Sequence, residues 1–286
     1  MEQRVFGETK EMLPILGFGA QRLVDSQGCS EQQAKRIINH ALDHGITYFD
    51  TAWVYSEGQS EERLGKVARH RRQEMWIATK AWSRSKVGAR RQLEESLRRL
   101  QTDHVDEWRM HHVWSIGELD KITGPRGALE AARKAREQGL VRYISLSGHN
   151  NPQVQAEALR RFPFDSVLCP VSVMDHFVLS FAEELLPLAV SRGVAIIGMK
   201  VLALGRLANI YDRALRYAFG LPLTAIIVGM ETMDQLKKNL AVAESYQPLT
   251  DAERLDLFKE VLPMVSPDTL PWKAENWNRP AEWNRR

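Results

Sequence analysis

Eight short runs of strand-like residues, each followed by a segment with helical spacing, constrain this chain more than any other feature. They fall at 13–19, 46–50, 75–80, 105–111, 141–147, 165–170, 194–200 and 224–228. A repeat of about 30–35 residues is the length of a strand, a crossover helix and two loops, which makes successive strands parallel. Eight such units in about 230 residues favour a closed (β/α)8 barrel, with a doubly wound open sheet as the second choice.

The helical segments carry their own signals. Ser30 and Gln33 form a capping-box pattern ahead of Ile37, Ile38, Ala41 and Leu42, and Gly45 is placed to end that helix. Leu93, Leu97 and Leu100 mark another helix. Further helices are expected near 60–68, 127–137, 152–161, 181–192, 213–219, 232–244 and 250–260. A short hairpin over 3–13 precedes the barrel. After about 265, Trp272, Trp277 and Trp283 lie among Pro, Asn, Glu and Arg, which predicts an irregular segment laid on the surface or partly mobile. The expected organisation is one domain over 1–286, with a barrel core at about 13–245 and a tail at about 265–286.

Composition narrows the function classes. With 286 residues, 44% of them hydrophobic, the chain can bury a sizeable core. A formal net charge of +3 gives no reason to expect nucleic acid or an anionic membrane as partner. Two cysteines, Cys29 and Cys169, form no disulfide framework and suit a reducing compartment. No apolar run approaches the ~20 residues of a membrane span, and the N-terminal residues lack a signal-peptide core. Cytoplasm is the expected location.

A barrel gathers its strand ends on one face, where active residues lie. The strand ends here carry Asp50, Lys80, His111, Ser147 and Lys200, with Tyr55 in the loop after the second strand. An ammonium beside a phenol favours the phenolate and lowers its pKa from about 10. Asp50 would hold Lys80 charged and in place. A neutral His111 would orient a substrate oxygen. Together these groups supply a proton to an oxygen that becomes negative as hydride reaches carbon.

Period-two alternation adds a consequence. If His111 faces the barrel interior, Glu107 and Arg109 face it too. Buried charges must be paired, so a polar layer involving neighbours such as Ser145 is expected beneath the site. Trp53, Trp82, His112 and Trp114 flank the strand ends and are expected to wall a pocket for flat or apolar carbonyl compounds. Gly17 and Gly19 could let the backbone approach a ligand, although no third glycine completes a dinucleotide fingerprint. His111 and His112 point to opposite faces, and no Cys/His spacing suits zinc, so no metal site is expected.

Several segments, in order along the chain, resemble the aldo-keto reductase superfamily. They are Gly17-Phe-Gly19; Phe49-Asp-Thr-Ala-x-x-Tyr-Ser-Glu-Gly58 with Glu62 and Gly65; Ala78-Thr-Lys80; Val105-Asp106 to His111; Gly139 through Ser147; Phe164-Asp165 to Pro170; and Val228-Gly229 through Asn239. The resemblance implies a metal-free NADP(H)-dependent carbonyl reductase whose tetrad falls on Asp50, Tyr55, Lys80 and His111. Tyr55 would be the general acid in reduction and the base in oxidation. A small carbonyl compound would be its substrate; oligomeric state is left open.

The resemblance also places a nicotinamide cofactor near Gly19, Ser147, Gly148, Leu168, Met199, Lys200, Gly229, Gln235 and Asn239. Several of these depart from the family pattern. Gly148 stands where Asn is usual, Leu168 where Gln is usual, and Gln235 near a usually basic position. Met199-Lys200 replaces the common stacking aromatic. Glu231 disfavours a 2′-phosphate whereas Lys237 or Lys238 favours one; NADP(H) is expected ahead of NAD(H). A nicotinamide-binding regulatory or redox-sensing protein of the same fold, with little turnover, is the alternative function.

Overall fold

The computed structural model describes residues 1–274 and residue 277. An antiparallel pair, β1 (Gln3–Val5) and β2 (Met12–Pro14), opens the chain. Eight parallel strands follow: β3 (Leu16–Gly19), β4 (Tyr48–Asp50), β5 (Trp76–Ala81), β6 (Val105–Met110), β7 (Val141–Ser147), β8 (Ser166–Pro170), β9 (Ala195–Met199) and β10 (Ala225–Gly229). Each pairs with the next, and β10 pairs with both β9 and β3, which closes the barrel. The open-sheet alternative is thereby excluded.

The helices are α1 (Glu31–Asp43), α2 (Gln59–Arg71), α3 (Lys86–Leu100), α4 (Ile116–Thr123), α5 (Ala128–Glu137), α6 (Pro152–Arg161), α7 (Phe181–Glu184), α8 (Leu186–Ser191), α9 (Tyr211–Phe219), α10 (Met233–Glu244) and α11 (Asp251–Val261). Local chemistry sets their ends. Ser30 accepts a hydrogen bond from the Gln33 N–H, and the helix it starts buries Ala34, Ile37, Ile38, Ala41 and Leu42. Gly45, just beyond α1, takes φ +82°, which favours glycine. Asn151 caps α6, with Pro152 in its first turn, where a missing N–H costs nothing. No helix among the described residues is long and apolar enough to cross a membrane.

Three expectations change. The run at 13–19 is two elements: Pro14 ends β2, and the barrel strand begins at Leu16. The helix expected over 181–192 is split into α7 and α8, with Pro187 in the first turn of the second. The short helix α4 was not anticipated; Ser115 caps it by accepting from the Glu118 N–H at 3.2 Å.

The tail is also less superficial than its composition suggests. Trp272 is fully buried, and its indole N–H donates to Asp175 at 2.8 Å. Packing of an indole against Leu257, Val261 and Leu270 outweighs the polar sequence around it. Trp283 lies outside the described residues.

Inward residues build the barrel in layers. At the N-terminal end the hairpin delivers Phe6 onto Trp76 and Tyr143, each at 5.0 Å between ring centroids. Gly17 faces inward where a Cβ would lie 2.7 Å from the Tyr48 ring, so only glycine leaves room for that phenol. Glu107 and Arg109 are both fully buried, as the period of two requires. Glu107 accepts from Tyr48 at 2.6 Å, Trp76 at 3.1 Å, Ser145 at 3.0 Å and from Ser166. Arg109 donates to Glu107 at 2.9 Å and to Asp50. The expected polar layer therefore exists, and it includes Ser145.

Candidate active site

Asp50 ends β4, Lys80 lies near the end of β5, and His111 directly follows β6, so three neighbouring strands deliver them to one place. Each side chain is almost completely buried. The Lys80 ammonium donates to Asp50 at 2.5 Å, to the Thr51 carbonyl at 2.6 Å and to the Tyr55 hydroxyl at 3.3 Å. Tyr55 meets the edge of the His111 ring at 5.7 Å between centroids. The four candidates thus converge.

The loop that carries Tyr55 is held in an unusual backbone. Ser56 and Glu57 both have positive φ, and Gly58 has φ +100°. A Cβ at Gly58 would lie 2.3 Å from the Arg99 guanidinium, which docks there from α3. Arg99 also donates to the Trp53 carbonyl at 3.0 Å. Such conformations persist only where surrounding contacts enforce them, and here they aim the phenol.

Electrostatics assigns protonation states. Burial lowers Lys80 from 10.5 to about 8; Asp50 works against that shift, and Arg109 adds to it. Burial, followed by the charge on Lys80, holds His111 well below its usual value, so its imidazole is neutral near pH 7. Tyr55 departs from expectation. Burial raises its pKa well above the usual phenol value, and the charge on Asp50 raises it further. Desolvation of a phenolate outweighs the opposing pull of the Arg109 guanidinium, so Tyr55 is held as the protonated donor.

The pocket candidates divide. Trp82, His112 and Trp114 cluster beside His111: Trp82 lies 5.6 Å from His111, and His112 lies 5.5 Å from Trp114. Trp53 goes elsewhere. Its indole N–H donates to Glu95 at 2.7 Å and its ring carries Arg99, so it packs on α3. The competing partners on α3 decide its direction, which no local pattern reveals.

Other residues join the site without having been anticipated. Arg84 donates to the carbonyls of Trp82, His111 and His112 at 2.7, 2.9 and 3.2 Å, and pairs with Glu118. It ties together the loop ends that bear the aromatic wall. His149 meets His112 through their Nδ1 atoms at 2.7 Å, which requires one ring to donate and the other to accept. Trp277 lies on His149 at 4.8 Å, and Lys200 Nζ lies 5.2 Å from the Trp277 ring centre.

A nicotinamide cofactor fits some of its expected positions better than others. Gly19 and Gly229 are register partners at adjoining strand ends, leaving bare backbone there. Ser147 is buried, and its hydroxyl accepts the His112 N–H at 3.1 Å. At Gly148 a Cβ would lie 2.7 Å from the Gln155 amide nitrogen and 2.8 Å from the Val113 carbonyl, so this packing has no room for Asn. Leu168 and Met199 place apolar side chains inside the barrel. Lys200 lies beyond β9 with φ +59°, and burial lowers its pKa to about 8.

Further out, Gln235 caps α10, its side chain accepting from the N–H groups of Glu231 and Thr232 at 2.9 and 3.3 Å. Asn239 is buried on that helix. Glu231 pairs with Arg22 at 3.2 Å.

Known proteins share this architecture. The Aldo/keto reductase family model matches residues 15–219. The holo form of an aldo-keto reductase from Bacillus halodurans superposes with a TM-score of 0.77 at 27% identity, covering 91% of this chain and 96% of that one. L-galactose dehydrogenase of Arabidopsis thaliana is 28% identical, over 97% of each chain. The oxidoreductase YqkF of Bacillus subtilis is 26% identical, over 93% of this chain and 80% of its own. By fold and by the span of the family match, this chain belongs to the aldo/keto reductase family, whose members are nicotinamide-dependent oxidoreductases.

Proposed function

We propose that the protein reduces an aldehyde or ketone to an alcohol, with Tyr55 donating the proton to the carbonyl oxygen. The observation that carries this reading is the Lys80–Tyr55 contact at 3.3 Å, with His111 against the same phenol. A reduced nicotinamide supplies the hydride when bound. Lys80 stabilises the negative charge that Tyr55 acquires as it releases its proton, and Asp50 and the Thr51 carbonyl hold the ammonium in position. Neutral His111 orients the substrate oxygen. Trp82, His112 and Trp114 form an apolar wall that favours a flat or apolar carbonyl compound.

Ser147, the Gly19–Gly229 backbone and Lys200 are the groups we assign to cofactor binding, with Gly148, Leu168 and Met199 lining the same end of the barrel. Gln235 and Asn239 would border its adenosine end. NADP(H) is the proposed choice over NAD(H). Arg22 neutralises Glu231, and exposed Lys237 and Lys238 add positive charge on the same helix. Oxidation of NADPH and NADH against a panel of aldehydes and ketones tests both statements. Cofactor binding without turnover on every carbonyl would support the regulatory alternative, and faster turnover with NADH would reverse the cofactor assignment.

A further inference from the structure

Asp50 has two cationic partners. One carboxylate oxygen takes the Lys80 ammonium at 2.5 Å; the other takes the Arg109 guanidinium. Arg109 comes from β6, two residues before His111, and so shares the inward face of that strand. It is fixed from behind by Glu107 at 2.9 Å and by Tyr48. Glu107 is itself saturated by the donors of Tyr48, Trp76, Ser145 and Ser166. Two anions and two cations balance in a fully buried layer. Apolar side chains would fill such a layer without the cost of desolvating four charges, so packing alone does not account for it.

We propose that Arg109 is a positioning residue for proton donation: by occupying one oxygen of Asp50, it confines Lys80 to the other, which directs the ammonium at Tyr55. The inference rests on the reading of Tyr55 as the proton donor. The groups facing Lys80 are Asp50 at the end of β4, the Thr51 carbonyl just after it, Tyr55 from the following loop, Glu107 and Arg109 from β6, His111 beyond it, and Lys200 beyond β9.

Charge gives the variants opposite signs. Arg109 disfavours the ammonium, whereas Asp50 and Glu107 favour it. Removing Arg109 leaves Asp50 to Lys80 alone and makes the ammonium harder to deprotonate. Removing the Glu107 charge while keeping Arg109 makes it easier. A guanidinium fixed at both ends also cannot follow Asp50 if the carboxylate rotates, so the direction of Lys80 depends on it.

The test is titration of the Lys80 side-chain nitrogen by NMR in protein labelled with 15N-lysine, the resonance being assigned from Lys80→Met. Arg109→Met alone strands a buried carboxylate and risks misfolding, so it is combined with Glu107→Gln, which keeps the layer neutral. Relative to Glu107→Gln alone, this double variant is expected to raise the Lys80 midpoint by about one pH unit, as expected for loss of a neighbouring like charge. Glu107→Gln alone is expected to lower it, and Arg109→Lys to keep it near the parent value. The high-pH limb of kcat should move with the midpoint, while KM changes little. A folded double variant whose midpoint equals that of Glu107→Gln, or lies below it, overturns the proposal. The titration needs no turnover. A midpoint raised by the further removal of Arg109, in a protein that reduces no carbonyl, would uphold the link between Arg109 and Lys80 while rejecting the reductase reading.

Discussion

Lys80 donates to the Tyr55 hydroxyl across 3.3 Å, joining a strand end to a loop twenty-five positions earlier in the chain. That contact makes the phenol the group whose removal matters most. Tyr55→Phe keeps the ring and its packing but deletes the proton. Turnover should fall by about 10²–10⁴-fold, while cofactor binding, followed by nicotinamide fluorescence, stays close to the parent. Parent-level turnover in the variant would remove Tyr55 from the mechanism.

Acid should destabilise the fold through its buried imidazoles. Burial lowers His112 from 6.5 to about 4, with the Trp277 carbonyl partly opposing the shift. A depressed folded value means that the unfolded chain binds the proton first. The stability linked to neutral His112 is therefore present above about 6.5 and declines as pH falls towards about 4. The urea midpoint should drop between pH 7 and pH 4.5, and less steeply in His112→Gln. Equal slopes in the two proteins would show that His112 does not contribute.

Close packing of α2 on α3 depends on Gly65. A Cβ there would lie 2.2 Å from the Arg99 carbonyl and 2.9 Å from the Leu100 carbonyl carbon, and backbone cannot swing aside. Gly65→Ala should cost about 1–3 kcal/mol, seen as a lower Tm. Because Arg99 also pins the Tyr55 loop, kcat should fall as well. A variant with the parent Tm would show that the two helices separate freely.

Trp272 anchors the C-terminal segment. Trp272→Ala removes a fully buried indole and leaves Asp175 without that donor. The cost should be about 3–5 kcal/mol, readable by chemical denaturation. Since Trp277 lies on His149 and Lys200, loosening the segment should also change KM for the carbonyl compound or the cofactor. A loss of stability with both KM values unchanged would confine the tail to a structural role.

Much of this arrangement is legible residue by residue. The helix cap at Ser30, the strand spacing, and the placement of Asp50, Lys80 and His111 at consecutive strand ends all follow from local signals. Even the burial of Glu107 and Arg109 follows from counting by two back from His111. These features depend on backbone geometry that each segment carries within itself.

The remainder depends on what lies opposite. Trp53 and Trp82 are both tryptophans near strand ends, yet Glu95 and Arg99 draw the first onto α3 while the second reaches His111. His149 gains its role from a ring 37 positions earlier, and Arg84 from three carbonyls whose directions are set when the barrel closes. Tyr55 is held protonated because desolvation, a property of the assembled site, exceeds the pull of the Arg109 guanidinium. Periodicity is local and can be read along one strand; the partner and solvent exposure of a side chain arise only when distant strands meet.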